Sequence, residues 1–281
     1  MSDHLRWQVG EVAITRVEEV STWIDATVLM PDFRGEMLRP HDDWIRPNYF
    51  SDRNDKMALS IHAFVVESQG KTIVVDTCVG EAERSLPHDL EFPDRLEATI
   101  DGGLAAVDFV LCTHLHFDHV GWNLRTVDGE YVPTFPNARY LFSEREIAHG
   151  RVHDEHDAIE PSVQPLIDRG LADLVADDHV ITDEVRLIPT PGHTPGHVSV
   201  AIDSGGSRAA ITGDMTHTPL QFAEPELSAS AFDHDSDMAR ATRHRMLAEW
   251  RDQPVLVLGT HFAPPTAGHI VTEGDRVVFR S

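Results

Sequence analysis

The segment His114-Leu-His-Phe-Asp-His119 decides how this chain of 281 residues is interpreted. It follows Val107 to Thr113, an apolar, β-branched run that predicts a buried strand, so it begins where a strand ends. Three imidazoles and one carboxylate within six residues are metal-ligating side chains, and burial alone would not satisfy them. The first two histidines project differently from Asp118 and His119, so one short loop can serve two metal ions.

Three isolated residues of ligand type also follow predicted strands. His193 lies in Pro191-Gly-His-Thr-Pro-Gly-His197, Asp214 ends the segment Thr212-Gly-Asp, and His261 ends the segment Gly259-Thr-His. Together with the first segment they resemble the metallo-β-lactamase superfamily, whose His-x-His-x-Asp-His motif is followed by three isolated ligands in this order. The resemblance extends over nearly the whole chain.

The resemblance implies two divalent metal ions and assigns their ligands. One ion takes His114, His116 and His193, the other takes Asp118, His119 and His261, and Asp214 bridges them. Zinc is the expected metal because nitrogen-rich sites suit it, although iron, cobalt or manganese would also be accommodated. A hydroxide between the two ions would attack the substrate, and Asp118 would handle the proton.

Other residues near these motifs are candidates for supporting roles. Asp76 corresponds to a carboxylate that the family keeps near its ligands, and His197 is expected at the edge of the site. Four aromatic residues flank the ligand motifs and are candidates for an apolar pocket wall, with ordinary core packing as the alternative. They are Phe117, Trp122, Phe222 and Phe262.

Two later stretches, Gly213 to Phe222 and Gly259 to Ile270, look like the lactonase and methyl parathion hydrolase branch. The expected activity is therefore metal-dependent hydrolysis of a lactone or ester of a small neutral molecule. Phosphotriester hydrolysis, β-lactam hydrolysis and persulfide oxidation at a single iron are the alternatives. Acyl-homoserine lactonases usually carry Tyr three residues after the bridging Asp. This chain has His217 there, and we expect that residue at the pocket rim as a second catalytic candidate.

The order of predicted elements indicates the fold. Two β-rich halves, each followed by helical segments, predict an α/β fold with a four-layer αββα sandwich formed by a single domain of residues 1–281. Residues 21–55 are polar and interrupted by proline, yet they carry Trp23, Phe33, Trp44, Tyr49 and Phe50. This arm either covers the substrate, forms a homodimer contact, or is a loop anchored by its aromatic residues.

Composition narrows the class of partner. The formal net charge of −24 argues against nucleic acid and anionic membranes, so a small-molecule substrate is expected. The amino-terminal residues show no basic segment before an apolar run, which predicts a cytoplasmic protein. Cys78 and Cys112 are expected to be small buried residues and not a disulfide. The histidines of the acidic run 151–157 are expected to be solvated.

Overall fold

Alternating apolar residues form two seven-stranded sheets in the computed structural model, which describes residues 5–81, 89–153 and 158–281. The strands, numbered along the chain, are β1 (Arg6–Val9), β2 (Val12–Ile24), β3 (Met57–Ser68), β4 (Lys71–Val75), β5 (Phe109–Leu111), β6 (Leu124–Val127), β7 (Glu130–Pro133), β8 (Arg139–Ser143), β9 (Ala172–Val175), β10 (Val180–Thr182), β11 (Val185–Pro189), β12 (Val198–Ser204), β13 (Ser207–Ile211), β14 (Val255–Leu258), β15 (Ala267–Glu273) and β16 (Arg276–Arg280). The first sheet has the order β1-β2-β3-β4-β5-β8-β9, and the second runs from β10 to β16 in chain order. Strands β6 and β7 form a separate hairpin.

The described part of the chain contains eight α-helices, and a capping side chain precedes two of them. They are α1 (Asp42–Ile45), α2 (Phe92–Thr99), α3 (Phe117–Val120), α4 (Glu144–Gly150), α5 (Ile159–Ser162), α6 (Gln164–Asp168), α7 (Leu220–Ala223) and α8 (Ser236–Trp250). The Ser143 side chain accepts hydrogen bonds from the first turn of α4, and Asp235 does the same for α8. These two side chains therefore fix where α4 and α8 begin.

Side chains along each strand point alternately to the two faces of its sheet, and the buried ones form core clusters between four layers. In β3, Phe64 and Val66 are buried between the two sheets, where they share a core with Val200 of β12 and Ile211 of β13. The alternate positions of β3 are buried on the other face of the first sheet, against residues of α2, α4 and α6. On the outer face of the second sheet, Trp250 of α8 belongs to a third core cluster. The predicted αββα sandwich is confirmed.

The arm of residues 21–55 differs from the prediction at its beginning. Residues 21–24 are not loop, because β2 pairs with β3 as far as Ile24. The rest contains short 3-10 helices, Ala26–Val28 and Gly35–His41, followed by α1. Four of its aromatic side chains are buried in the core cluster on the outer face of the second sheet, whereas Trp23 is exposed. The buried four are Phe33, Trp44, Tyr49 and Phe50.

The two cysteines, Cys78 and Cys112, are buried free thiols, which confirms the prediction that they do not form a disulfide. Among the described residues, no helix combines the length and apolar character that crossing a membrane requires.

Candidate metal centre

The strand directions gather the predicted ligands at one edge of the sandwich. Strands β4 and β5 are parallel, as are β13 and β14, so within each pair the carboxyl ends lie side by side. The ligand segments begin just beyond three of those ends, at His114, Asp214 and His261, and the supporting residue Asp76 directly follows β4. A hydrogen bond of 3.0 Å from the Val198 backbone N–H to the Thr113 carbonyl joins the two halves at this edge.

The structure brings all seven predicted ligands into one cluster. Two groups of three, each with ligand atoms within 4.8 Å of one another, coincide with the sets that the resemblance implies. They are His114, His116 and His193, and Asp118, His119 and His261. Asp214 lies between them. Its Oδ1 is 3.3 Å from His119 Nε2 and 3.1 Å from His261 Nε2, and its Oδ2 is 3.4 Å from His193 Nε2.

The chemistry of this cluster fits metal ions. The Nε2 atoms of His114 and His119 and the Oδ1 atom of Asp214 are buried without a hydrogen-bond partner. Each such buried polar atom costs about 1–3 kcal/mol unless something satisfies it, and a cation among them would do so. Burial and the neighbouring imidazoles also lower the pKa of His114 well below its ordinary value, which favours the neutral ring that binds metal.

The pKa values of His119 and His261 shift in the opposite direction. Burial alone would lower the pKa of His119, but the carboxylates of Asp214 and Asp76 outweigh it and raise that pKa well above its ordinary value. Burial opposes ionisation of Asp214, yet His261 and His119 hold its pKa well below the usual range. The carboxylate is therefore available to cations, and a metal ion would take the place of protons on the neighbouring rings.

Hydrogen bonds from outside the cluster orient the ligand rings. His119 Nδ1 pairs with Asp76 Oδ2 at 2.9 Å, and His261 Nδ1 lies 2.9 Å from the Ser60 carbonyl oxygen. His193 Nδ1 pairs with Asp233 Oδ1 at 3.0 Å. Each contact turns Nε2 of its ring towards the cluster and fixes the tautomer.

The sequence of this chain is similar to those of known metal-dependent enzymes. The family model of the metallo-beta-lactamase superfamily matches residues 57–243. This chain belongs to the metallo-β-lactamase superfamily. It is 26% identical over 154 residues to an N-acyl homoserine lactonase of Bacillus cereus, an alignment that covers 54% of each chain. The match thus spans about half the length of such curated relatives.

Two solved structures share the fold over nearly the whole chain. One is the hydrolase AbOPH of the beta lactamase superfamily, with a TM-score of 0.82 and 24% identity, covering 100% of this chain and 97% of that one. Another is AidC, a dizinc quorum-quenching lactonase in complex with a product, with a TM-score of 0.76 and 17% identity, covering 98% and 96%. Both likenesses support the fold.

His197 supports the loop that carries Asp214 and is not one of the seven ligands. Its Nε2 accepts a hydrogen bond of 2.8 Å from the Asp214 backbone N–H, and its Nδ1 lies 2.8 Å from Thr190 Oγ1. Gly213 has φ of +55°, and a Cβ there would lie 2.5 Å from His197 Nε2. Glycine before Asp214 is therefore required by both conformation and space.

Glu146 is a supporting residue that the sequence did not identify. Its buried Oε1 accepts a hydrogen bond of 2.7 Å from the Gly196 backbone N–H, and the Leu115 backbone also hydrogen-bonds its carboxylate. Glu146 thus connects the loop of His114 and His116 with the loop of His193. Burial raises the pKa of Glu146 to about 7, although hydrogen bonds from Thr194 and these backbone groups oppose the shift.

Glu146→Gln should stabilise the protein more at about pH 8 than at about pH 5. The pKa of Glu146 is about 7 in the folded chain and its ordinary value is 4.5, so its contribution to the unfolding free energy falls as pH rises between those values. Glutamine keeps an acceptor oxygen without the charge. Thermal unfolding should show a difference between the two pH values on the order of 1–3 kcal/mol. Glu144→Gln, at an exposed position in the same helix, is the control. Equal stabilisation at both pH values would contradict this assignment.

A cavity of about 170 Å³ opens over the cluster. Its wall is mostly apolar and includes parts of the arm that the sequence left unassigned. The apolar lining residues are Ile24, Val28, Leu29, Leu59, Ile61, Phe117 and Phe232. The arm therefore forms part of the cavity wall, whereas a homodimer contact stays a prediction.

Three of the four aromatic residues predicted for the pocket wall lie in the core instead. Trp122 is buried, donates its indole N–H to Glu19 Oε1 at 2.8 Å, and stacks on Phe92. Phe222 and Phe262 pack edge to face at 6.2 Å in the core cluster of the second sheet's outer face. These three residues lie close to the ligand motifs in sequence, but their side chains pack in the core.

His217 lies deeper than the predicted pocket rim. It is 4% exposed, its Nε2 is 3.1 Å from Asp214 Oδ2, and its ring stacks on that of His261 with centroids 5.4 Å apart. With His193 and Asp214 it forms a further group of three potential metal ligands. It also lines the cavity, so its ring can face both a metal ion and a substrate.

Proposed function

We propose that this protein is a dinuclear metal-dependent hydrolase that opens lactones of small, neutral, partly apolar molecules. The observation that carries the proposal is the placement of two complete ligand sets, joined by Asp214, at the floor of an apolar cavity. The similarity to an N-acyl homoserine lactonase supports acyl lactones as the first substrates to test. Bound metal ions would supply Lewis acidity and lower the pKa of a bound water.

The chain's own residues would hold the ions, transfer a proton and contact the substrate. The seven ligands would hold the ions, with zinc as the proposed metal. Asp118 is partly exposed to the cavity, and its Oδ2 is 3.6 Å from His261 Nε2, so it can hold or pass a proton at the reacting centre. His217 can donate a hydrogen bond to the substrate carbonyl oxygen. Leu29 and Ile61 would contact the apolar part of the substrate and exclude water.

Among the described residues that line this cavity there is no lysine or arginine. An anionic phosphate ester would therefore lack a cationic partner other than the metals, whereas a neutral lactone or phosphotriester would not need one. This favours neutral substrates and leaves phosphotriesters as the second candidate class.

A substrate panel with metal analysis tests the proposal. The zinc-loaded protein should hold two ions per chain and should turn over N-acyl homoserine lactones with a higher kcat/KM than aryl esters, a paraoxon-type triester or a β-lactam. Within the lactones, KM should fall as the acyl chain lengthens, because the wall is apolar. A single bound iron with persulfide oxidation, or a triester preferred over every lactone, would overturn it.

A further inference from the structure

A second group of imidazoles lies outside the seven ligands. His149 is in the last turn of α4, and the backbone N–H of His153 donates to the His149 carbonyl at 2.9 Å. This i to i+4 hydrogen bond continues one helical turn, so both side chains project from the same face, with ring centroids 5.2 Å apart. A pair of histidines four residues apart on one helical face is an arrangement that binds transition metals.

A third imidazole joins this pair from a distant segment. His234 precedes α8, and its ring centroid lies 4.6 Å from that of His149. Its backbone N–H donates to the His193 carbonyl at 2.9 Å, which fixes its position beside a ligand loop. Ring pairs in the main cluster have similar separations, 4.8 Å for His114 and His193 and 5.3 Å for His119 and His261.

The three rings line a small cavity of about 30 Å³, and His116 and His193 line both this cavity and the substrate cavity. This is room for one ion or water molecule. Within the described residues, the trio is not among the groups with all ligand atoms inside 4.8 Å. His153 and His234 are exposed, however, and exposed side chains change rotamer within nanoseconds.

We propose that His149, His153 and His234 form a third metal site, which binds one divalent ion that prefers imidazole, such as Zn²⁺ or Cu²⁺. Three imidazoles are a sufficient protein ligand set for such an ion, with water in the open position. The formal net charge of −24 further favours cation binding. The acidic composition of residues 151–157 predicted solvated histidines. His153 is indeed exposed and also lies in this ring group, whereas His156 is outside the described residues.

Metal stoichiometry tests the site independently of catalysis. Protein already holding two zinc ions is dialysed to equilibrium against micromolar Zn²⁺, and bound metal is counted by elemental analysis. The wild type should hold a third equivalent, whereas His153→Ala and His234→Ala should each hold two and keep wild-type activity. With Cu²⁺ as the added ion, electron paramagnetic resonance should show nitrogen coupling that both variants lose.

His244→Ala is the matched control, since His244 is also exposed but pairs with Glu226 on α8's outer side. It should retain the third equivalent. A wild type that stops at two ions, variants that still hold three, or an equal loss in His244→Ala would each overturn the site. None of these results depends on which substrate the main centre hydrolyses.

Discussion

Asp214→Ala is expected to abolish most of the hydrolase activity and to release metal from both positions. The two carboxylate oxygens of Asp214 lie within 3.4 Å of imidazoles from both ligand sets, so this side chain joins the two sets. The loss in kcat/KM should exceed about 100-fold. Removing a supporting residue outside the ligand set costs up to about 100-fold, and Asp214 is itself a ligand. Activity assays paired with elemental analysis measure both effects.

Asp233→Asn provides the comparison for this experiment. Asp233 Oδ1 pairs with Nδ1 of His193, a member of the first ligand set, so its replacement should reduce activity or metal affinity by about 10–100-fold and leave the second ligand set intact. Circular dichroism of both variants would establish that the fold persists. Near-normal turnover by Asp214→Ala, with two ions still bound, would show that another group bridges the metals.

The ligand positions could be predicted because each of them belongs to a short, recognisable stretch of sequence. The spacing of His114, His116, Asp118 and His119 is visible in six residues, and each isolated ligand follows an apolar strand. Parallel pairing then brings the strand ends together, so a linear pattern becomes a compact cluster. Asp76, which directly follows β4, was identified by the resemblance to the family.

The supporting residues and the cavity wall could not be predicted in this way. Asp233 lies 40 residues from His193 and Glu146 lies 50 residues from Gly196, and no spacing rule connects either pair. Trp122 follows the ligand motif closely, but the direction of its side chain, which is set by tertiary packing, takes it into the core. Leu29 reaches the cavity only because the arm folds across the second half of the chain.

His217→Ala should lower kcat on the best lactone substrate by about 10²-fold while both metal ions remain bound, if the ring donates a hydrogen bond or a proton to the substrate. Its Nε2 already lies 3.1 Å from Asp214 Oδ2 at the cavity floor, within reach of a group bound over the metals. His217→Tyr should retain a donor and shift preference towards acyl-homoserine lactones. Steady-state kinetics of both variants, with metal content measured in the same samples, gives the comparison.

Metal content distinguishes a donor role of His217 from a role as a metal ligand, which the geometry also allows. His217, His193 and Asp214 form a potential ligand trio, so a ligand role predicts that His217→Ala loses an equivalent of metal along with its activity. A donor role predicts lost kcat at full metal occupancy, with partial recovery in His217→Gln because the amide can still donate. If neither kcat nor KM changes on any substrate, His217 has no part in catalysis. Specificity would then depend on the apolar wall from Ile24 to Leu29, where the arm meets the cavity.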